Sequence, residues 1–197
     1  MNMQETLSAV FPRQSLHLGG PSPNKHWHVP LALHSLVGEI DAAQSLIHIW
    51  EPLMEHRIAY SREVTTELGT ATGCVVLAGH IAEVALKTLI AQTQPDKAPP
   101  IGHDLKRLFN KLEPSSRSEV ERRLETLPDY WDQFAESESA EKVFGIARSS
   151  FVDWRYVMEP GGAHKGVPKP LLKVAVAVTL LGVNRLDQWQ KLPAASP

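Results

Sequence analysis

The chain has 197 residues, of which 43% are hydrophobic and 21% are charged, as in an ordinary globular protein with one sizeable core. Its formal net charge of -2 excludes the overall basic field of a dedicated duplex-DNA binder, so any contact with nucleic acid must be local. The single cysteine, Cys74, cannot form an intrachain disulfide, which fits a reducing compartment, and its apolar neighbours favour a small buried side chain.

The N-terminal segment is rich in Pro, Gly and Ser, and it predicts an irregular arm over residues 1–29 that holds Trp27 against the core. This segment carries Glu5 and lacks the basic-then-apolar order of a signal peptide. The most apolar stretch, residues 171–183, falls short of the ~20 residues that cross a bilayer. We therefore expect a cytoplasmic protein without membrane contact.

Two long helices are predicted next. From Pro30 onward, apolar residues recur at spacings of three and four, and Pro30 suits a first helical turn. Pro52 is expected to kink or end this helix near Glu51. A second helix is predicted over 61–92, because its apolar residues leave only a narrow polar strip before a proline-rich loop.

Shorter helices follow. The segment 104–112 reads as an amphipathic helix closed by Pro114. Ser116 and Glu119 have the spacing of a capping box, which would start a helix that runs through Leu127.

The remaining chain predicts a helix over 140–159, stopped by a Pro-Gly-Gly sequence, and a last helix over 169–190. No run of alternating strands is visible. The sequence therefore predicts an all-α fold in which residues 30–190 form a single bundle of five or six helices. The long helices are expected to pack antiparallel, and residues 191–197 form a tail.

Polar residues form strips beside the apolar faces. His80, Glu83 and Lys87 share one face of the second helix, where a half-buried Glu83 needs a cation or hydrogen-bond donors. Arg155 lies between Trp154 and Tyr156, and its planar fork suits a carboxylate or a phosphate equally. We predict a structural ion pair between Glu83 and Arg155, with phosphate binding by Arg155 as the alternative.

The Gly-His-Asp-Leu sequence at 102–105 has the form of a helix start. Asp104 is expected to cap this helix or to act as an acid in its first turn. His103 could instead contact a nucleotide or an RNA phosphate.

Three segments, AEVALKTLI (82–90), GHDLKRLFNKL (102–112) and FVDWRYVME (151–159), resemble motifs of the HEPN superfamily of small helical domains. The resemblance implies a HEPN-like bundle that dimerises and occurs in prokaryotic defence and toxin–antitoxin systems. A nucleotidyltransferase-type protein is the operon partner it suggests. Active members cleave RNA without a metal, through an arginine followed after four to six residues by a histidine.

This chain departs from that motif. Neither Arg148 nor Arg155 is followed by a histidine at the required distance, and His164 lies beyond the Pro-Gly-Gly break. The hypothesis is therefore a catalytically silent binding and dimerisation module that engages RNA, a nucleotide or a protein partner. Its ligand-binding candidates are Arg148, Arg155, His103 and Lys87. The alternative is an atypical metal-independent ribonuclease that uses Arg155 or Arg148 with His103 or His164.

A metal-dependent helical enzyme is the third hypothesis, with potential ligands His26, His28, Glu51, Glu55 and Glu83. Glu-x-x-His pairs typical of such bundles are missing from the sequence, so no metal or other cofactor is expected. A homodimer is expected through the last helix, whose apolar residues cover more than one face. These residues are Leu171, Leu172, Val174, Val176, Val178, Leu180, Leu181 and Val183.

Overall fold

A computed structural model of the chain describes residues 24, 26–55, 62–127, 138–148 and 168–189. Six helices lie within them, and no strand does. The helices are α1 (Val29–Glu55), α2 (Arg62–Thr93), α3 (Leu105–Asn110), α4 (Pro114–Glu125), α5 (Ala140–Ile146) and α6 (Pro168–Trp189). The prediction of an all-α bundle with five or six helices is confirmed.

The three long helices α1, α2 and α6 pack on one another, and the short helices α3, α4 and α5 lie against α2 and α6. Helices α1 and α2 are antiparallel. Leu33 and Gln92 both lie beside Gly182, whereas Glu39, further along α1, contacts His80, which is earlier on α2. Their apolar stripes meet α6 in one hydrophobic core.

Helix α2 is apolar because it is central. Its segment Thr72–Thr93 is long and apolar enough to cross a membrane, with a mean hydropathy of 1.7, but 72% of its most apolar window is buried inside the bundle. Such burial is typical of a core helix in a bundle. Cys74 lies in this core and is fully buried.

Helix α6 differs from expectation in how its apolar residues are covered. Every residue from 171 to 183 is buried within the single chain, including Lys173 at 7% exposure and Val183 at 9%. The dimer prediction assumed that a single bundle leaves part of this stretch exposed. That assumption is wrong, because α1, α2, α4 and α5 surround the stretch. The homodimer stays a prediction, but its apolar contact does not lie on residues 171–183.

Helix α1 continues past Pro52 to Glu55, so of the two expected effects of Pro52, a kink or an end near Glu51, the helix end is absent. The predicted end of α5 is wrong. Helix α5 ends at Ile146 and does not continue to 159. The carbonyl oxygen of Arg148 instead accepts a hydrogen bond from the backbone N–H of Leu105, at 2.9 Å, so the chain leaves the helix to join α3.

The predicted capping box is also wrong. Helix α4 begins at Pro114, whose fixed φ suits the first helical position, so Ser116 lies inside the first turn. The Ser116 hydroxyl is buried and accepts a hydrogen bond from the Arg185 guanidinium at 2.9 Å. Glu119 pairs instead with Arg122 and Arg123, at 2.6 and 3.1 Å.

The described end of the N-terminal arm lies on the C-terminal end of α2. The Trp27 indole N–H donates to the Thr88 hydroxyl at 3.0 Å, and the ring packs against the core. The buried Asn24 amide donates to the carbonyl oxygens of Lys97 and Ala91, at 3.0 and 3.4 Å. These contacts cap the carbonyl end of α2, the helix that carries the candidate site.

Candidate functional site

Glu83 is the centre of the polar cluster on α2. Its side chain is only 7% exposed, and both carboxylate oxygens have partners. Lys87 Nζ donates to Oε1 at 2.7 Å, and His103 Nδ1 lies 2.8 Å from Oε2. Burying a carboxylate without a partner costs several kcal/mol. The contacts with Lys87 and His103 therefore allow the charged Glu83 side chain to lie at the core boundary.

The local sequence explains how the three side chains meet. Glu83 and Lys87 are four residues apart on α2, so they lie on the same helix face. His103 follows Gly102, whose φ of +112° lies in a region that residues with a side chain rarely adopt. Gly102 turns the loop so that the next residue reaches Glu83.

The contact with Glu83 defines the chemistry of the His103 ring. An ionised carboxylate only accepts hydrogen bonds, so with Glu83 ionised the hydrogen of this contact is on Nδ1, and in that tautomer of the neutral ring Nε2 is the acceptor nitrogen. A carboxylate that orients a histidine through Nδ1 is a common device for positioning a general base. The His103 side chain is 46% exposed, so the ring is accessible from solvent.

Asp104 confirms the expected helix cap and also forms an ion pair. Its Oδ1 accepts the backbone N–H of Arg107 at 2.9 Å, while Oδ2 accepts Nε and Nη2 of Arg148, both at 2.6 Å. Partial burial raises the pKa of this carboxyl, but the bonds from Arg107 and Arg148 outweigh that effect. The pKa of Asp104 is therefore held below its usual value.

Arg148 is fixed at both ends and still faces solvent. Its carbonyl oxygen accepts the N–H of Leu105, and its guanidinium is bound by Asp104. The side chain is nevertheless 66% exposed, and within the described ranges Nη1 has no acceptor. Arg148 therefore presents a pre-organised guanidinium beside the start of α3.

Three further cations follow Asp104 on α3 and its C-terminal cap. Lys106, Arg107 and Lys111 have side chains at or near the surface, while Leu105, Leu108 and Phe109 bury the opposite face. Lys106 pairs with Glu141 at 3.7 Å. A chain with an overall charge of -2 thus carries a local basic surface around α3.

The predicted site residues have different outcomes. Glu83, Lys87 and His103 form one cluster, and Arg148 joins the adjacent residue Asp104. Arg155 and His164 lie outside the described residues, so the Glu83–Arg155 pair remains a prediction.

The sequence did not predict the contact of His103 with Glu83 or the ion pair of Asp104 with Arg148. Nothing in the local pattern shows that a loop histidine reaches a carboxylate 20 positions earlier, or that Asp104 binds an arginine 44 positions later. His80, which shares the polar strip, contacts Glu39 on α1 at 3.6 Å.

In the part of the chain that is described, no group of three His, Cys, Asp or Glu side chains could hold a metal ion. Of the proposed metal ligands, His28 accepts a backbone hydrogen bond from Leu31 at 3.3 Å, and Glu83 is engaged as described above. The side chains of Glu51 and Glu55 lie outside the described residues.

Comparisons of the chain with family models, with curated proteins and with solved structures give no match.

Proposed function

We propose that the chain is a HEPN-like binding and dimerisation module, catalytically silent, that engages phosphate groups of RNA or of a nucleotide at the start of α3. We place it in a prokaryotic defence or toxin–antitoxin setting with a nucleotidyltransferase-type operon partner, as the sequence resemblance implies. The observation that carries the binding function is Arg148, a guanidinium anchored by Asp104 yet 66% exposed.

Anchoring favours binding because less side-chain entropy is lost when the ligand arrives. The Arg148 fork matches the oxygen geometry of a phosphate, and charge-assisted hydrogen bonds are the stronger class. His103 is the residue before Asp104, so its ring places a second potential hydrogen-bond donor or acceptor near Arg148.

The test is a fluorescence-anisotropy titration of a labelled single-stranded RNA with wild type, Arg148→Gln and Lys142→Gln. Lys142 is a matched control, because it is 62% exposed on α5 and is also held by one carboxylate, that of Glu138. Removing one charge-assisted contact of roughly 1.5 kcal/mol or more should weaken binding about 10-fold in Arg148→Gln. Equal affinities of the two variants would reject Arg148 as the phosphate contact.

A metal-independent ribonuclease is the second candidate, and the 2.8 Å contact between His103 Nδ1 and Glu83 Oε2 favours it. In this reaction His103 Nε2 takes the proton of a ribose 2′-hydroxyl, and that oxygen attacks the adjacent phosphorus. The bond from phosphorus to the 5′-oxygen breaks, and this oxygen leaves with a proton taken from water. Arg148 would stabilise the charge on the phosphate.

A nuclease assay in the presence of a chelator separates the two candidates. The binding module predicts intact RNA with wild type, Arg148→Gln, His103→Ala and Glu83→Gln alike. Cleavage by wild type that is lost in His103→Ala and reduced in Glu83→Gln would replace the first candidate with the second. Glu83→Gln is the informative variant, because an amide keeps a hydrogen-bond acceptor but not the charge that orients and stabilises a protonated histidine.

A further inference from the structure

Arg107 and Lys111 differ from the other exposed cations near the candidate site. Lys106, Lys142 and Arg148 are each paired with a carboxylate, at 3.7, 2.5 and 2.6 Å. Within the described ranges, no carboxylate lies at ion-pair distance from the Arg107 or Lys111 side chain. The charge of Arg107 lowers the pKa of Asp104, but the hydrogen bond of Asp104 to Arg107 is with its backbone N–H.

The two cations also share a face. They are four residues apart, one helical turn, so their side chains lie next to each other on the outer side of α3. Lys106 projects about 100° away, toward α5, where its chain lies near Gly145 and its ammonium meets Glu141. Arg107 and Lys111 therefore form a separate two-charge surface on the same short helix.

A small cavity of about 40 Å³ lies beside this pair. Pro100, Ile101 and Leu108 form its apolar part, and Arg107 and Lys111 line it as well. The volume accommodates a water molecule or part of an anionic group, and it is far below what a nucleoside needs. Asp104 also borders the cavity, but its oxygens are engaged by Arg148 and by a backbone N–H.

We propose that Arg107 and Lys111 form a second phosphate subsite, so that the ligand is a polynucleotide strand and not a single nucleotide. This inference rests on the proposed function. The placement of the cations supports it. Arg148 is held at the cap residue Asp104, and Arg107 and Lys111 follow Asp104 by three and seven residues, about 5 and 10 Å of helical rise. Cations spread over that length can contact successive phosphates of one strand, whereas a nucleoside monophosphate offers a single phosphate group.

The experiment measures the affinity of the full chain for a nucleoside monophosphate and for single-stranded di-, tetra- and octaribonucleotides. The proteins are wild type, the double variant Arg107→Gln/Lys111→Gln, Arg148→Gln and the control Lys106→Gln. Wild-type affinity should rise steeply with ligand length. The double variant should lose most of that rise, with about 10-fold or more lost on the octanucleotide, because two charge-assisted contacts disappear.

The controls separate the possible failures. The monophosphate should bind wild type and the double variant equally, and Lys106→Gln should follow wild type at every length. If the double variant binds the octanucleotide as tightly as Lys106→Gln does, while Arg148→Gln binds it weakly, the second subsite is rejected and the proposed function survives. If wild type binds no oligonucleotide, or if Arg148→Gln binds as wild type does, the proposed function fails. Unchanged unfolding curves of the surface variants exclude misfolding as the cause.

Discussion

His103 Nδ1 and Glu83 Oε2 meet at 2.8 Å where the loop before α3 crosses helix α2. The contact joins a largely buried carboxylate to a half-exposed ring. Because Lys87 holds the other oxygen at 2.7 Å, Glu83 is fixed in place and in turn fixes the ring. One carboxylate thus serves both the stability of the bundle and the geometry of the candidate site.

Glu83→Ala should lower the free energy of unfolding by about 1–3 kcal/mol, because it strands Lys87 and releases the α3 loop. Urea denaturation measures this loss. Glu141→Ala is the control, since Glu141 is 58% exposed and its pair with Lys106 is long, at 3.7 Å. The control should change stability by about 0.5 kcal/mol or less. A Glu83→Ala protein as stable as the control would contradict the anchoring role.

We predict that Asp104 makes a pH-dependent contribution to the free energy of unfolding. Its pKa is lower in the folded chain than its ordinary value, so its charged form stabilises the fold above about pH 4. The contribution is lost as the pH falls through the folded pKa. Asp104→Asn keeps a capping oxygen but removes the charge, so it should be less stable than wild type at neutral pH.

Thermal or urea unfolding of both proteins across acidic and neutral pH tests this expectation. The stability difference should shrink below about pH 4 and disappear in stronger acid. A difference that stays constant over that range would mean that the Asp104 charge is not coupled to folding.

Gly182→Ala and Gly38→Ala should change stability in opposite directions. A Cβ at residue 182 would lie 3.0 Å from Leu33 Cδ2, and Leu33 is fully buried and cannot yield freely. Overpacking should outweigh the helix preference for alanine, for a net loss of about 1 kcal/mol. At Gly38 nothing lies within 4 Å, so alanine should stabilise by about 0.5–1 kcal/mol. Stabilisation by both substitutions would show that α1 and α6 are less closely packed than described.

Cys74 should be unreactive in the native protein. Burial raises the pKa of its thiol to about 11, so at neutral pH the nucleophilic thiolate is scarce as well as shielded. Labelling with a chromogenic thiol reagent should be slow in buffer and rapid in denaturant. Fast, stoichiometric labelling of the native chain would place Cys74 at the surface.

The sequence predicted the elements of the fold well because helical periodicity is a local property. The positions of α2 and α6 match the prediction to within one or two residues, and Asp104 caps α3 as its place before an amphipathic run suggests. The errors arose where tertiary contacts compete with local signals. Ser116 lies at a capping-box spacing but binds Arg185 on α6.

The candidate site was predictable only as a set of residue types. The polar strip of α2 indicated that Glu83 needs a cation or donors, and Lys87, one turn later, is a partner within sequence reach. His103 is brought to the same carboxylate by the turn at Gly102, which depends on how the loop packs against α2. The pairing of Arg148 with Asp104 depends on where α5 ends, and that end was predicted wrongly.

The salt dependence of RNA binding tests the central claim, phosphate binding by Arg148, most directly. A phosphate contact on a single strand contributes about 0.7 to the slope of log K against log salt concentration. We predict that Arg148→Gln flattens the wild-type slope by roughly that amount, while Lys142→Gln leaves it unchanged. Parallel slopes for wild type and Arg148→Gln would contradict the claim, because Arg148 would then neutralise no phosphate.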